Sequence, residues 1–443
     1  MASTEIPNMV LAELRTGFTP EAFEAFLARR QEPEWITAAR REAWQRFLEM
    51  PLPNRTEEEW RRTDLRLFRW DRFVLPVEPG PSAAVPPAML AGQVARAGRL
   101  ITLDGYVGEA WLDPRWEAQA VRFGSLQGLA REDPTWLRPH LERQLADLPD
   151  KFAALHAALW SGGSLLYVPR GVCVEEPLYS LSAITPGGSD FGHSLVILEE
   201  GAEATLICEY SGGGDVPGLH CGATEVVVGP GARLRLVHVQ DWGKGVWHFA
   251  RQRAAVQRDA RLQWTLAALG SRLAKVNQYV GLAGSGADVQ VNGVMFAEGR
   301  QHLACHTYQH HQAPGGKSDL LYKGALQDRA HIVWRGMIRV DREAQKTDGY
   351  QRDDNLLLSE TARADSIPGL EILADDVKCT HGATAGRVED EMVFYAQTRG
   401  LSRREAVRLV VAGFFQQVFD RVTIDRVREA LEAAIGQRVR DYA

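Results

Sequence analysis

Six times between residues 201 and 362 a small event recurs: a residue suited to a tight turn, then an alanine, then in most cases a run of alternating character. The pairs are Gly201-Ala202, Gly231-Ala232, Asp259-Ala260, Gly286-Ala287, Arg329-Ala330 and Thr361-Ala362, at intervals of 30, 28, 27, 43 and 32 residues. Runs such as Ser194–Leu198 and Arg233–Val239 have the period of two expected of a strand with one buried face. A single repeat of this length cannot bury that face alone, but stacked repeats do so on one continuous core. The chain is therefore expected to be mainly β, with a right-handed parallel β-helix, a β-solenoid, over about residues 160–387. The pattern alone leaves one alternative open, a β-sandwich with coincidental Gly-Ala turns.

Both ends read as helical. Thr19 can cap a helix with Pro20 in its first turn and Phe23, Phe26 and Leu27 on one face. A second helix is expected from about Trp35 to Met50, before Pro51 and Pro53, and a third from Thr56, which with Glu59 has the spacing of a capping box. The stretch VEPGPSAAVPP, residues 77–87, reads as a linker or an extended surface crossing. Residues 1–159 thus form a mainly helical region. After Gly386 the chain turns helical again over residues 388–443. Glu389–Thr398 stops at Gly400, Ser402 and Glu405 make a capping box, and a last helix after Thr423 carries Ile424, Val427, Leu431 and Ile435 on one stripe. This bundle is expected to close the open end of the solenoid. Val411, Phe415, Val418 and Phe419 widen its apolar surface beyond one stripe, which suits either a compact core or a docking surface.

Among the 443 residues, 45% are hydrophobic and 24% charged, with a formal net charge of −6. That is an ordinary soluble composition, and no isolated Lys/Arg cluster suggests nucleic acid. The N-terminus lacks a basic segment followed by an apolar run, and no window approaches 18 consecutive apolar residues, so a cytoplasmic protein away from membranes is expected. The five cysteines, Cys173, Cys208, Cys221, Cys305 and Cys379, are scattered without CxxC spacing. That argues against a disulfide framework and a self-contained zinc site.

Cys379 and His381 stand two residues apart in a β-compatible segment, where pleating sends a thiol and an imidazole to the same face. The block LEI-ADDVKCTHGAT that holds them, the preceding Asn355–Ser359 and the following Phe394-Tyr395 and Arg399-Gly400 resemble the SufB/SufD family, the scaffold proteins of SUF-type iron–sulfur cluster assembly. Glu59–Asp64 also matches an N-terminal block, so the resemblance covers nearly the whole chain. In the SufB branch the segment before the leucine run resembles Gln-Cys-Asp-Ser, and a second block resembles Glu-His-Glu-Ala-Thr. Here these read Gln351-Arg352-Asp353-Asp354 and Thr380-His381-Gly382-Ala383-Thr384, departures that favour the SufD branch.

The resemblance implies a β-helix core with helical ends and a scaffold rather than an enzyme. It implies pairing with a SufB-like chain through an edge carrying His381 and Cys379, where iron or a nascent cluster could take ligands from both chains. It also implies docking of the SufC-like ATPase on the C-terminal helices, with Phe394, Tyr395, Arg399, Phe414, Phe415, Val418 and Phe419 as candidate contacts. No tightly bound cofactor is expected beyond transient iron or cluster. A flavin has been proposed for complexes of this family, although no flavin fingerprint is visible.

Other chemistry is weaker. His302, Cys305, His306, His310 and His311 look like a metal motif, yet in a strand His302, His306 and His310 point one way and Cys305 and His311 the other. Gly316-Lys317-Ser318 has the tail of a P-loop but His311 where glycine is needed. Nucleotide hydrolysis must then come from a partner. Gly-x-Ser-x-Gly is absent, and the pairs Asp353-Asp354 and Asp375-Asp376 read as ordinary turn and surface residues. The rival classes are a β-helix polysaccharide lyase or hydrolase, and a homodimeric scaffold using the same edge.

Overall fold

The computed structural model describes residues 17–80, 82–92, 96–146 and 148–440, and its spine is a β-solenoid of about eight turns. Successive coils give one strand to each of two parallel sheets. From the Glu203–Gly212 strand onward, strands of the first sheet begin at Glu203, Arg233, Arg261, Asp288, Lys317, Asp348 and Lys378, and the last is Lys378–Arg387. The second sheet ends on Arg363–Ile372. The irregular 43-residue interval is a change of sheet. Gly286-Ala287 leads into Asp288 of the first sheet, whereas Arg329-Ala330 leads into His331 of the second. The skipped turn is Gly315-Gly316, where Gly315 takes a φ of 71° that costs glycine little.

Apolar side chains from the two inner faces meet in the lumen, among them Leu206, Leu236, Trp264 and Val291 from one sheet and Val226, Val256 and Val280 from the other. Not all the lining is apolar. Thr224, Gln252, Gln278 and Thr307 stand in register on four successive coils, and all are buried. Gln278 donates to the Gln252 carbonyl at 3.2 Å, so the column satisfies part of its own hydrogen bonding.

The N-terminal helices form as expected at Pro20–Ala28, where the Thr19 hydroxyl accepts the Ala22 N–H at 3.2 Å, and at Glu34–Glu49. Together with the turn-rich segment after them, they pack on the outer face of the second sheet through Phe23, Trp44, Phe47, Trp60 and Phe68, with Phe152 stacked 3.7 Å from Phe249. Two details differ from the sequence reading. The segment at Thr56 makes turns rather than a helix, because Asn54 takes the Thr56 N–H and Glu59 reaches out to His306 and Arg335 on the sheet. The region before residue 160 also supplies strands: Gly98–Leu103 pairs in parallel with Leu178–Ile184, while Tyr106–Leu112 and Arg122–Ser125 pair antiparallel at the N-terminal end of the two sheets.

The C-terminal helices are Asp390–Thr398, Arg403–Phe419 and Asp425–Arg438, with the Ser402–Glu405 capping box present. They do not close the solenoid. They lie along the outer face of the first sheet, against Val294, Phe296, Leu321 and Ala325, because that face offers an apolar stripe while the last coil does not. Among the described residues no helix is long and apolar enough to cross a membrane.

Candidate functional site

With the end uncovered, the last coil is the most exposed part of the solenoid. Lys378–Arg387 is hydrogen-bonded on one side only, to Asp348–Leu357, with Gly349 beside Cys379, Gln351 beside His381 and Asp354 beside Thr384. Arg363–Ile372 likewise pairs only with His331–Val340. Every side chain of these two strands is exposed or half-buried, whereas the centre of Asp348–Leu357, one coil back, is buried. The spine ends on two open strand edges with unpaired backbone donors and acceptors.

Cys379 and His381 share the lumen side of the first of these edges. Cys379 is half-buried and packs with Ile338, Val340 and Ala374. Burial pushes its thiol above the usual range, a backbone hydrogen bond at Gly349 offsets part of that, and the Asp348 charge adds to it. His381 is exposed. A soft thiolate beside an imidazole suits iron, but two donors make an incomplete set. Among the described residues no three His, Cys, Asp or Glu side chains gather closely enough to hold a metal ion.

The histidine-rich strand His302–His311 divides its side chains as its pleat requires. Cys305 and His311 are buried in the lumen, where Cys305 lies 3.3 Å from the Tyr322 hydroxyl. His302, His306 and His310 face outward, and each is engaged: His302 with Thr63 and His331, His306 with Glu59 at 2.8 Å, His310 with Tyr279 at 2.7 Å and Asp341 at 2.8 Å. Glu59 is the hub that fastens the N-terminal segment to this face. It also meets Arg335 and lies 3.8 Å from the buried Lys275. The His306 hydrogen bond leads the effects that hold its carboxyl down at about 2, against the opposing pull of burial.

Among the candidate docking residues, Phe394 and Tyr395 are well exposed, 68% and 62%, and Arg399 stacks on Tyr395. Phe414 is half-buried under the Lys323 ammonium. Phe415, Val418 and Phe419 turn inward and fill the helical core, leaving them no surface to offer. Met392 and Leu409, which the sequence reading passed over, complete the exposed apolar set instead.

The sequence reading also misjudged Asp353 and Asp354. Neither is in a turn; both lie within Asp348–Leu357 and are buried, one facing the lumen and the other the outside of the sheet. Asp353 accepts hydrogen bonds from the Ser366 hydroxyl at 2.5 Å and the Asn355 amide at 2.6 Å. Asp354 accepts from Thr384 at 2.7 Å and Arg352 at 3.0 Å, with Lys323 at 3.4 Å. The signal for this was present: an acidic pair flanked by Gln351 and Asn355, with no glycine or proline to make a turn.

The family described as SUF system FeS cluster assembly, SufBD core domain, matches residues 182–414, and the SufBD protein N-terminal region matches residues 23–179. The iron–sulfur cluster assembly SufBD family protein Rv1462 of Mycobacterium tuberculosis is 35% identical over 295 residues, 65% of this chain and 73% of that one. The iron–sulfur cluster assembly protein SufB of Bacillus subtilis is 28% identical over 421 residues, 90% of this chain and 88% of its own length. A SufBD family protein of Staphylococcus saprophyticus is 26% identical over the same length. With its solenoid core and helical ends, a core-domain match over more than half of its length and relatives aligned over up to 90% of it, the chain belongs to the SufBD family of iron–sulfur cluster assembly proteins.

Proposed function

We propose that this chain is the SufD-type scaffold subunit of a cytoplasmic SUF assembly complex, pairing with a SufB-type chain end to end. The observation that carries the reading is the open final coil: two unpaired strands, one holding an exposed His381 beside a half-buried Cys379. Strand edges of this kind bury their backbone groups by pairing with edges of another chain. Arg352, standing where the SufB branch has its thiol, favours the SufD assignment, since the chain then lacks the sulfur that would receive a cluster. In this arrangement iron or a nascent cluster is cargo held between subunits, with His381 as the main donor of this chain and Cys379 as the second. The exposed Phe394, Tyr395, Arg399, Met392 and Leu409 form the docking face for a SufC-type ATPase, which supplies the hydrolysis. Movement of that ATPase would shift the two scaffolds against each other.

The test is reconstitution with SufB-type and SufC-type chains. His381→Ala should leave the complex intact on size exclusion while lowering its iron and sulfide content. Normal cluster yield with this variant would end the ligand role. A homodimer that refuses to exchange with the SufB-type chain would contradict heteromeric pairing, and turnover of polyuronates by the purified chain would restore the sugar-enzyme alternative.

A further inference from the structure

Adjacent residues on one strand point to opposite faces of its sheet, and Asp353 and Asp354 use that alternation to hold two different strands. The Asp353 carboxylate reaches across the lumen to Ser366, which lies in Arg363–Ile372, the edge strand of the second sheet. Asn355 donates to both groups, at 2.6 Å to Asp353 and 3.1 Å to Ser366, closing a three-membered ring of hydrogen bonds. Asp354 lies outside the lumen in register between Lys323 on the coil before and Thr384 on the coil after, in Lys378–Arg387, the edge strand of the first sheet. It bonds to both, and Arg352 on its own strand completes its shell.

We propose that Asp353 and Asp354 are positioning residues that fix the two open strands relative to each other, so that the end of the solenoid is a preformed two-strand docking platform. This rests on the docking role proposed above for that end. The need for such a device is physical. Every other coil is held by neighbours on both sides, while the last is held on one, and a single strand edge pairs weakly and slips in register unless it is pinned. One anchor per sheet, both rooted in the buried centre of Asp348–Leu357, fixes the spacing and height of the two edges together. The occupant that fits is a chain offering two parallel open strands of its own at the same separation, which is the end of another solenoid.

The shells of the two acids differ in a way that suits the roles. Asp354 is surrounded by donors and cations, and although burial opposes it, Thr384, Arg352 and Lys323 hold its carboxyl below the usual range. Asp353 faces Ser366, Asn355, Tyr322 and Cys305 in the lumen, with Asp354 behind it, and burial raises its carboxyl.

Hydrogen–deuterium exchange on the full chain separates the two anchors. Ser366→Ala should speed amide exchange at least about tenfold in residues 363–372 and leave 378–387 unchanged, the change expected when a buried carboxylate loses a donor. Thr384→Ala should do the reverse. Ser366→Thr and Thr384→Ser, which keep the hydroxyls, should restore wild-type protection. Each alanine variant should also bind a SufB-type chain several-fold more weakly at unchanged melting temperature. Unchanged edge exchange in both alanine variants would overturn the anchors. Faster exchange with undiminished binding, where the wild-type chain does bind, would overturn their positioning role. Failure of the wild type itself to bind would instead remove the docking reading, while the exchange data would still decide whether the acids pin the strands.

Discussion

The sulfur of Cys379 rests 3.3 Å from the point where a side chain at Gly349 would begin, directly beside it in the sheet. Ile338 crowds the same point at 3.4 Å. The glycine therefore sets how deeply the thiol sits in the end of the lumen.

Gly349→Ala adds a methyl that neighbours can absorb by small shifts, whereas Gly349→Val adds a branched group that they cannot. Alkylation of Cys379 by N-ethylmaleimide should change by less than about twofold in the first variant and rise several-fold in the second, as overpacking drives the thiol outward. Equal rates in all three proteins would show that Gly349 does not govern the thiol.

Acid should destabilise this protein unusually early. Burial lowers His193, His238, His248 and His302 to about 3 and His306 and His311 to about 4. Below 6.5 the unfolded chain takes up protons at these six sites while the folded chain does not, so their contribution is complete above 6.5 and is lost as pH falls towards 3. Asp190 and Asp353, raised by burial to about 8 and about 7, act in the opposite sense, stabilising most at low pH and losing that as pH rises through those values. Six imidazoles outweigh two carboxyls, and each proton of difference is worth about 1.4 kcal/mol per pH unit. The urea midpoint should drop steadily between pH 6.5 and 4; a flat profile would refute neutral, buried histidines.

Glu59→Gln should loosen the N-terminal segment. The variant leaves Lys275, which is only 2% exposed, His306 and Arg335 facing a neutral amide. A loss of about 1–2 kcal/mol is expected, less than for a fully buried pair because Glu59 is half exposed. Trypsin should then cut sooner at Arg55, Arg61 and Arg62, and an unchanged digestion pattern would argue that Trp60 packing alone holds the segment.

The C-terminal helices separate packing from docking. Phe415→Ala should cost about 3–5 kcal/mol and melt the bundle, because the ring is fully buried. Phe394→Asp or Tyr395→Asp should stay within about 0.5 kcal/mol of wild type yet abolish capture of a SufC-type ATPase. Retained capture by both would move the docking face elsewhere.

The solenoid was legible because its turns repeat: an alanine after a turn residue at intervals of one coil, and once of a coil and a half, leaves a period that no single strand can produce. The half-coil offset between the sheets was not, since Gly315-Gly316 lacks the alanine that marks the six recognised turns. Cys379 and His381 were legible from spacing, as a strand obliges residues two apart to share a face. The inward turn of Phe415, Val418 and Phe419 was not, because an apolar helix face looks the same whether its cover is the same chain or another. Asp353 and Asp354 were missed for a related reason. Their meaning lies in Ser366 and Thr384, 13 and 30 residues away, and only the coiling of the chain brings those hydroxyls within reach.

The antiparallel strands Tyr106–Leu112 and Arg122–Ser125 give the two ends of the molecule different character. One end of the spine finishes on parallel strands and the other on antiparallel ones, so the two ends are unlike surfaces, and in the pairing proposed above joining by the final coil uses that coil up. Under that pairing growth would stop at two units, and a protein built from the same stacking as a fibre would be spared from becoming one.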